Sequence, residues 1–78
     1  MATREQNQGR FDRWEDLPNG GQRYIKEIAG RSGGVARYLK EVDDKENTTR
    51  FWQEIWNANG QLVAVHVKFP LDTGHKAL

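Results

Sequence analysis

The stretch HVKFPLDTGH at residues 66–75 gathers the side chains best suited to proton transfer: two imidazoles, an ammonium and a carboxylate. Such a set can cleave RNA by acid–base chemistry. One of His66 and His75 would act as base and the other as acid, with Lys68 holding the phosphate and Asp72 close by. The spacing carries little specificity, because a histidine on a strand is more often a partly exposed sheet residue and His75 stands near the frayed end of the sequence. A metal site built from His66, Asp72 and His75 lacks a recognised ligand spacing, so neither metal nor cofactor is expected. The expectation therefore leans away from an enzyme.

A second set is aromatic and cationic. Trp52, Trp56 and Leu62, together with Arg37, Arg50, Glu54 and His66, would project from one side of a sheet. Tryptophan and arginine are favoured anchors at protein interfaces, and exposed aromatic rings also stack on unpaired bases. The plainer reading is that something covers this face and the tryptophans are core. Two further stretches invite a chemical reading and do not support one. GRSGG (30–34) is glycine-rich but lacks the pattern of a phosphate-binding loop, so it reads as a turn. DDKENTT (43–49) lacks the ligand spacing of a calcium loop and reads as a solvated connection.

What would position these residues is a repeat. RYIKEI (23–28), RYLKEV (37–42) and RFWQEI (50–55) are versions of one hexamer, and turn-forming residues separate them. Short helices compete with strands for such runs, since each has apolar residues at i, i+1 and i+4. Strands are favoured by the alternation of QLVAVHVKF (61–69) and by the preceding ANG, which fits a three-residue hairpin loop with Gly60 left-handed. Four strands are expected, over 22–29, 35–42, 50–57 and 61–69. A period near 14 residues is too short for a solenoid.

Antiparallel pairing of the hexamer with itself sets every arginine against a glutamate. The expected rows are Arg23–Glu41–Arg50 and Glu27–Arg37–Glu54, with Ile25–Leu39–Trp52–His66 between them. Each pair contributes only about 0.2–1 kcal/mol, so the rows specify register more than stability. The other side would hold the core: Tyr24, Ile28, Tyr38, Phe51, Ile55, Val63, Val65, Val67 and Phe69. Lys26 and Lys40 fall on that side too, their stems against the rings and their ammonium groups in water.

Phe11, Trp14 and Leu17 recur every third residue, and Asp12 with Glu15 has capping-box spacing, so a short helix is expected over this apolar side. Pro18-Asn19-Gly20-Gly21 would stop it. Residues 1–9 read as a disordered lead-in, 10–71 as one small domain and 72–78 as a tail. The fold class is mainly β: a four-stranded antiparallel meander, as a twisted sheet or small half-barrel, with a short N-terminal helix packed on its apolar face.

Composition narrows the function. Twelve basic and eleven acidic residues leave a formal charge of +1, short of the basic footprint of a protein that holds nucleic acid through phosphates. There is no cysteine for a disulfide or thiolate chemistry. No apolar run suits a signal peptide or a membrane span, which points to a cytoplasmic protein. The leading expectation is a small non-enzymatic protein-binding module, an adaptor or inhibitor that covers a partner's surface with its charged, aromatic face. Single-stranded nucleic-acid binding by that face is the alternative, and a small ribonuclease the third reading. Lys68 and Pro70 only mildly discourage pairing along the fourth strand, so a homodimer by strand pairing is also open.

Overall fold

The computed structural model describes residues 3–71 and 74–77. Among these residues one α-helix, α1 (Arg4–Arg10), precedes six strands, β1 (Arg13–Asp16), β2 (Gln22–Ala29), β3 (Val35–Val42), β4 (Thr48–Trp56), β5 (Leu62–Phe69) and β6 (Gly74–Ala77), with a short 3-10 turn (Arg31–Gly33) between β2 and β3. They form one antiparallel sheet whose spatial order follows the chain. The mainly β, meander reading is therefore right, with six strands where four were expected.

The hexamer repeat occupies β2, β3 and β4 in the expected register. Arg23 pairs with Glu41, Ile25 with Leu39 and Glu27 with Arg37; Arg37 pairs with Glu54, Leu39 with Trp52 and Glu41 with Arg50. Paired residues share a face of the sheet. The face carrying Arg37, Leu39 and Glu41 is called here the ladder face, and the face carrying Tyr38 and Lys40 the groove face.

Three of the hairpins close alike. Leu17 N–H donates to Gly21 O, Asp43 N–H to Asn47 O and Asn57 N–H to Gln61 O, each at 2.9 Å. The fourth residue of each turn is left-handed: Gly20 at φ 85°, Glu46 at φ 65° and Gly60 at φ 77°. Glycine takes this conformation freely, whereas a residue with a Cβ is strained by about 1–2 kcal/mol. Glu46 is thus the exception that needs a reason. Gly21 answers a different constraint, since a Cβ there would lie 2.0 Å from the Val42 carbonyl oxygen. Nothing larger fits without moving the backbone.

The last strands depart from simple alternation. Trp56 pairs with Leu62 but Ile55 with Ala64, and Trp52 pairs with Val67 but Phe51 with Phe69. Val63 and Lys68 are therefore extra residues, each a bulge that reverses the facing of the residues after it. The expected pairs Ile55–Val63, Trp52–His66 and Phe51–Val67 do not form. Instead Val65 and Val67 turn to the ladder face and pack on the buried trio Ile25, Leu39 and Trp52. A bulge-free strand would have set the His66 imidazole against Trp52 in that cluster, where a polar ring loses water and gains no valine contacts. A buried apolar cluster thus forms on the face expected to be open. Of the expected core Tyr24 is fully buried against Phe11 and Trp14, with Val42 buried on the same face, while Ile28, Val63 and Phe69 are exposed.

The ends differ as well. The expected helix around Phe11, Trp14 and Leu17 is an extended strand, with Trp14 opposite Tyr24. Asp12 caps nothing; its carboxylate accepts the Glu27 N–H at 3.1 Å. The helix comes earlier, at Arg4–Arg10, and takes up most of the 1–9 stretch read as disordered. Its capping box is Thr3 with Gln6: Gln6 N–H donates to Thr3 Oγ1 and Thr3 N–H to Gln6 Oε1. Residues read as a tail form β6, which pairs with β5 from Ala64 to Val67 and removes the edge that a fourth and last strand would have left. Among the described residues no helix is long and apolar enough to cross a membrane.

Candidate functional site

On the ladder face the charges satisfy one another. Arg13, Arg23, Arg37 and Arg50 face Glu15, Glu27, Glu41 and Glu54, and each of the eight takes part in an ion pair, from Arg23–Glu15 at 2.6 Å to Arg37–Glu54 at 3.9 Å. The Arg50 guanidinium lies 4.2 Å over the Trp52 ring and that of Arg37 5.4 Å from Trp56. Both indole N–H groups donate to Glu54, Trp52 to Oε2 at 3.0 Å and Trp56 to Oε1 at 3.1 Å. Trp52 is only 9% exposed. The predicted set Trp52, Trp56, Arg37, Arg50 and Glu54 is thus brought together, with Leu62 paired to Trp56, but Trp52 stands in it as core. His66 leaves the set: it pairs with Gln53 on the groove face.

The groove face is built differently. Its lysines and rings alternate across the strands, with Tyr24 opposite Lys40, Lys40 opposite Phe51 and Lys26 opposite Tyr38. The Lys68 bulge aims its ammonium 5.2 Å from the Tyr38 ring and 5.7 Å from that of Phe51. An open cavity of about 380 Å³ lies here, lined by Arg10, Phe11, Lys26, Ile28, Tyr38, Lys40 and Phe51. No carboxylate lines it. Arg10, Lys26, Lys40 and Lys68 form no ion pair among the described residues, whose ion pairs lie on the ladder face apart from Arg4–Glu46.

One wall of this groove comes from helix α1 and the residue after it, and Glu46 holds that wall. Its carboxylate accepts from Arg4 Nε at 3.1 Å, Asn7 Nδ2 at 3.0 Å and the Tyr24 hydroxyl at 2.8 Å. Asn7, fully buried, in turn accepts from Lys40 Nζ at 2.8 Å. This accounts for the left-handed Glu46: the turn is strained so that its side chain docks the helix. Burial pushes the Glu46 carboxyl up, but the hydrogen bonds from Asn7, Tyr24 and Arg4 outweigh it and hold the group below its ordinary range. Burial, with help from Glu46, drives the Tyr24 hydroxyl up to about 12. Lys40 is held below the ordinary lysine value, first by burial and then by Arg10.

Of the proposed acid–base set, His66 and Lys68 are on the groove side, and the backbone of β6 puts His75 in register opposite His66. Asp72 and the side chain of His75 lie outside the described residues. Among the described residues no cluster of acidic or histidine side chains is arranged to hold a metal.

The groove was half legible. In each hexamer the acidic residue stands fifth, on the ladder side, while the fourth, on the groove side, is Lys or Gln. That period-two rule already separates the charges that a net charge of +1 averages away. Arg10 and Phe11 carry no such signal, because a helix docked from outside the repeat brings them in. Set beside known families, curated proteins and solved structures, the chain matches none of them.

Proposed function

We propose that this chain is a small non-enzymatic binding module whose groove face takes an anionic partner. One observation carries the reading: four cations cluster around an open, ring-lined groove without a carboxylate among them, while the arginines of the opposite face are neutralised. Cations left unpaired on a concave surface focus potential toward an incoming anion even when the whole chain is nearly neutral. The ladder face, first choice on sequence, is less suited. Recruiting Arg37 or Arg50 to a partner means breaking pairs already made, and Trp52 is not accessible.

Retention on immobilised heparin, a generic polyanion, tests this. Lys26→Gln with Lys68→Gln should elute at clearly lower salt than the wild type. Arg13→Gln with Lys45→Gln removes the same net charge elsewhere and should elute close to it. Equal elution of the two double variants would sink the groove reading.

The register of His66 opposite His75 favours a second reading, the acid–base ribonuclease. It requires the wild type to cleave single-stranded RNA and His66→Ala to lose that activity while remaining folded.

A further inference from the structure

We infer that the anion is single-stranded nucleic acid, its bases stacked on the rings of the groove and its phosphates on the surrounding cations. This rests on the groove-face reading and names its ligand class.

The support is the pattern of alternation. Tyr24, Lys40 and Phe51 form one row across β2, β3 and β4, and Lys26 with Tyr38 forms the next. Neighbouring strands lie about 4.8 Å apart and same-face residues along a strand about 7 Å apart. Tyr24 is fully buried against Phe11 and Trp14, but Tyr38 and Phe51 alternate with Lys26 and Lys40 on the open part of this surface, with Phe11 at one side and Phe69, 43% exposed, beside Phe51. An acidic peptide matches the cations and leaves the rings unused. A nucleotide strand alternates a negative phosphate with a flat ring at every unit and so matches both. Duplex matches the cations alone, because its base faces are stacked inside.

Lys68 adds a second element. In the free protein its ammonium rests on the faces of Tyr38 and Phe51. Such a contact at an exposed site is weak, and the stem is flexible. An arriving base takes the ring surface, and the ammonium moves to an adjacent phosphate, so one residue serves the free and the bound states. The bulge at Lys68 is what aims it there. A cavity of about 380 Å³ is at the small end of the range for ligand sites, on the order of 300–1,000 Å³. The groove therefore anchors one or two nucleotides, and the open sheet beside it takes their neighbours.

The experiment is a fluorescence-anisotropy titration of the full chain with labelled oligouridylate, the same sequence as a duplex, and a labelled oligoglutamate of equal length. The oligouridylate should bind tightest. With four phosphate contacts, log K should fall against log salt with a slope of about −3. Phe51→Leu keeps an apolar side chain but no ring; an unchanged amide fingerprint would show the fold retained, and affinity for oligouridylate should fall roughly tenfold. Unchanged affinity in that variant, or equal binding of duplex or oligoglutamate, overturns the nucleic-acid inference while leaving an anion-binding groove. Binding of none of the three at low salt overturns both readings.

Discussion

The two faces of this sheet are made from the same hexamers and do opposite things with charge. On the ladder face arginine and glutamate alternate from strand to strand and hold one another across the buried Ile25, Leu39 and Trp52, on which the partly buried Val65 and Val67 pack. On the groove face lysines alternate with rings, no carboxylate forms an ion pair with them among the described residues, Lys40 is held by Asn7, and Ile28 and Phe69 stay exposed. The first arrangement stabilises and sets register. The second leaves binding capacity unspent. A composition close to electrical neutrality therefore says little about partners when the charges are sorted by face.

The sharpest way to break the contrast is at the two neighbouring aromatic positions of β4. Trp52→Ala opens a hole in the ladder-face cluster and should cost about 3–5 kcal/mol, comparable to the whole stability expected of a domain this small. Chemical denaturation should find it largely unfolded. Phe51→Leu, one residue away on the half-buried groove side, should cost about 1–1.5 kcal/mol and leave a cooperative transition. Equal losses at the two positions would mean that the Ile25–Leu39–Trp52 cluster carries no more of the stability than the half-buried ring beside it.

A smaller effect is expected where the groove wall is docked. Glu46→Gly should relieve the left-handed strain of the turn, so global stability changes by less than about 1 kcal/mol, yet the helix should lose amide-exchange protection because Arg4, Asn7 and Tyr24 lose their acceptor. Acid should do the same to the wild type. Glu46 titrates below its ordinary carboxyl value when folded, so the docking it supplies is complete above about pH 4.5 and is lost as pH falls through the depressed folded value. Helix protection that persists in Glu46→Gly would show that the clamp is not what holds the wall.

The smallest effect is at Lys68. Lys68→Met removes only cation–ring contacts, so thermal unfolding should shift by an amount equivalent to about 0.5–1 kcal/mol at most. On the ladder face Glu41→Ala unpairs Arg50 and leaves Arg23 with Glu15 alone, and should cost more, about 1–3 kcal/mol. If the order of these two reversed, the cations of the groove face would be structural and not held in reserve for a ligand.

Much of the fold was readable because the hexamer states its own register: with a period of two, Arg and Glu can meet across three antiparallel strands in one alignment only. The GRSGG and ANG turns and the charge rows came from that local rule. So did the placing of Lys26 and Lys40 beside Tyr24, Tyr38 and Phe51. The features beyond reach depended on contacts between distant segments. Neither bulge in β5 announces itself with a glycine. Val63 and Lys68 are extruded because Val65 and Val67 gain more against Trp52 than an unbroken ladder would supply. The capping box of Thr3 and Gln6 was present in the letters, but a seven-residue helix is not stable by its own hydrogen bonds. It exists because Glu46, 42 residues from Arg4 along the chain, offers it a carboxylate. Periodicity and charge order within each strand were thus determined locally. Which apolar side chains each face buries, and which face leaves its lysines without ion pairs, was decided only when the last strands and the helix had packed, because those contacts join segments far apart in the chain.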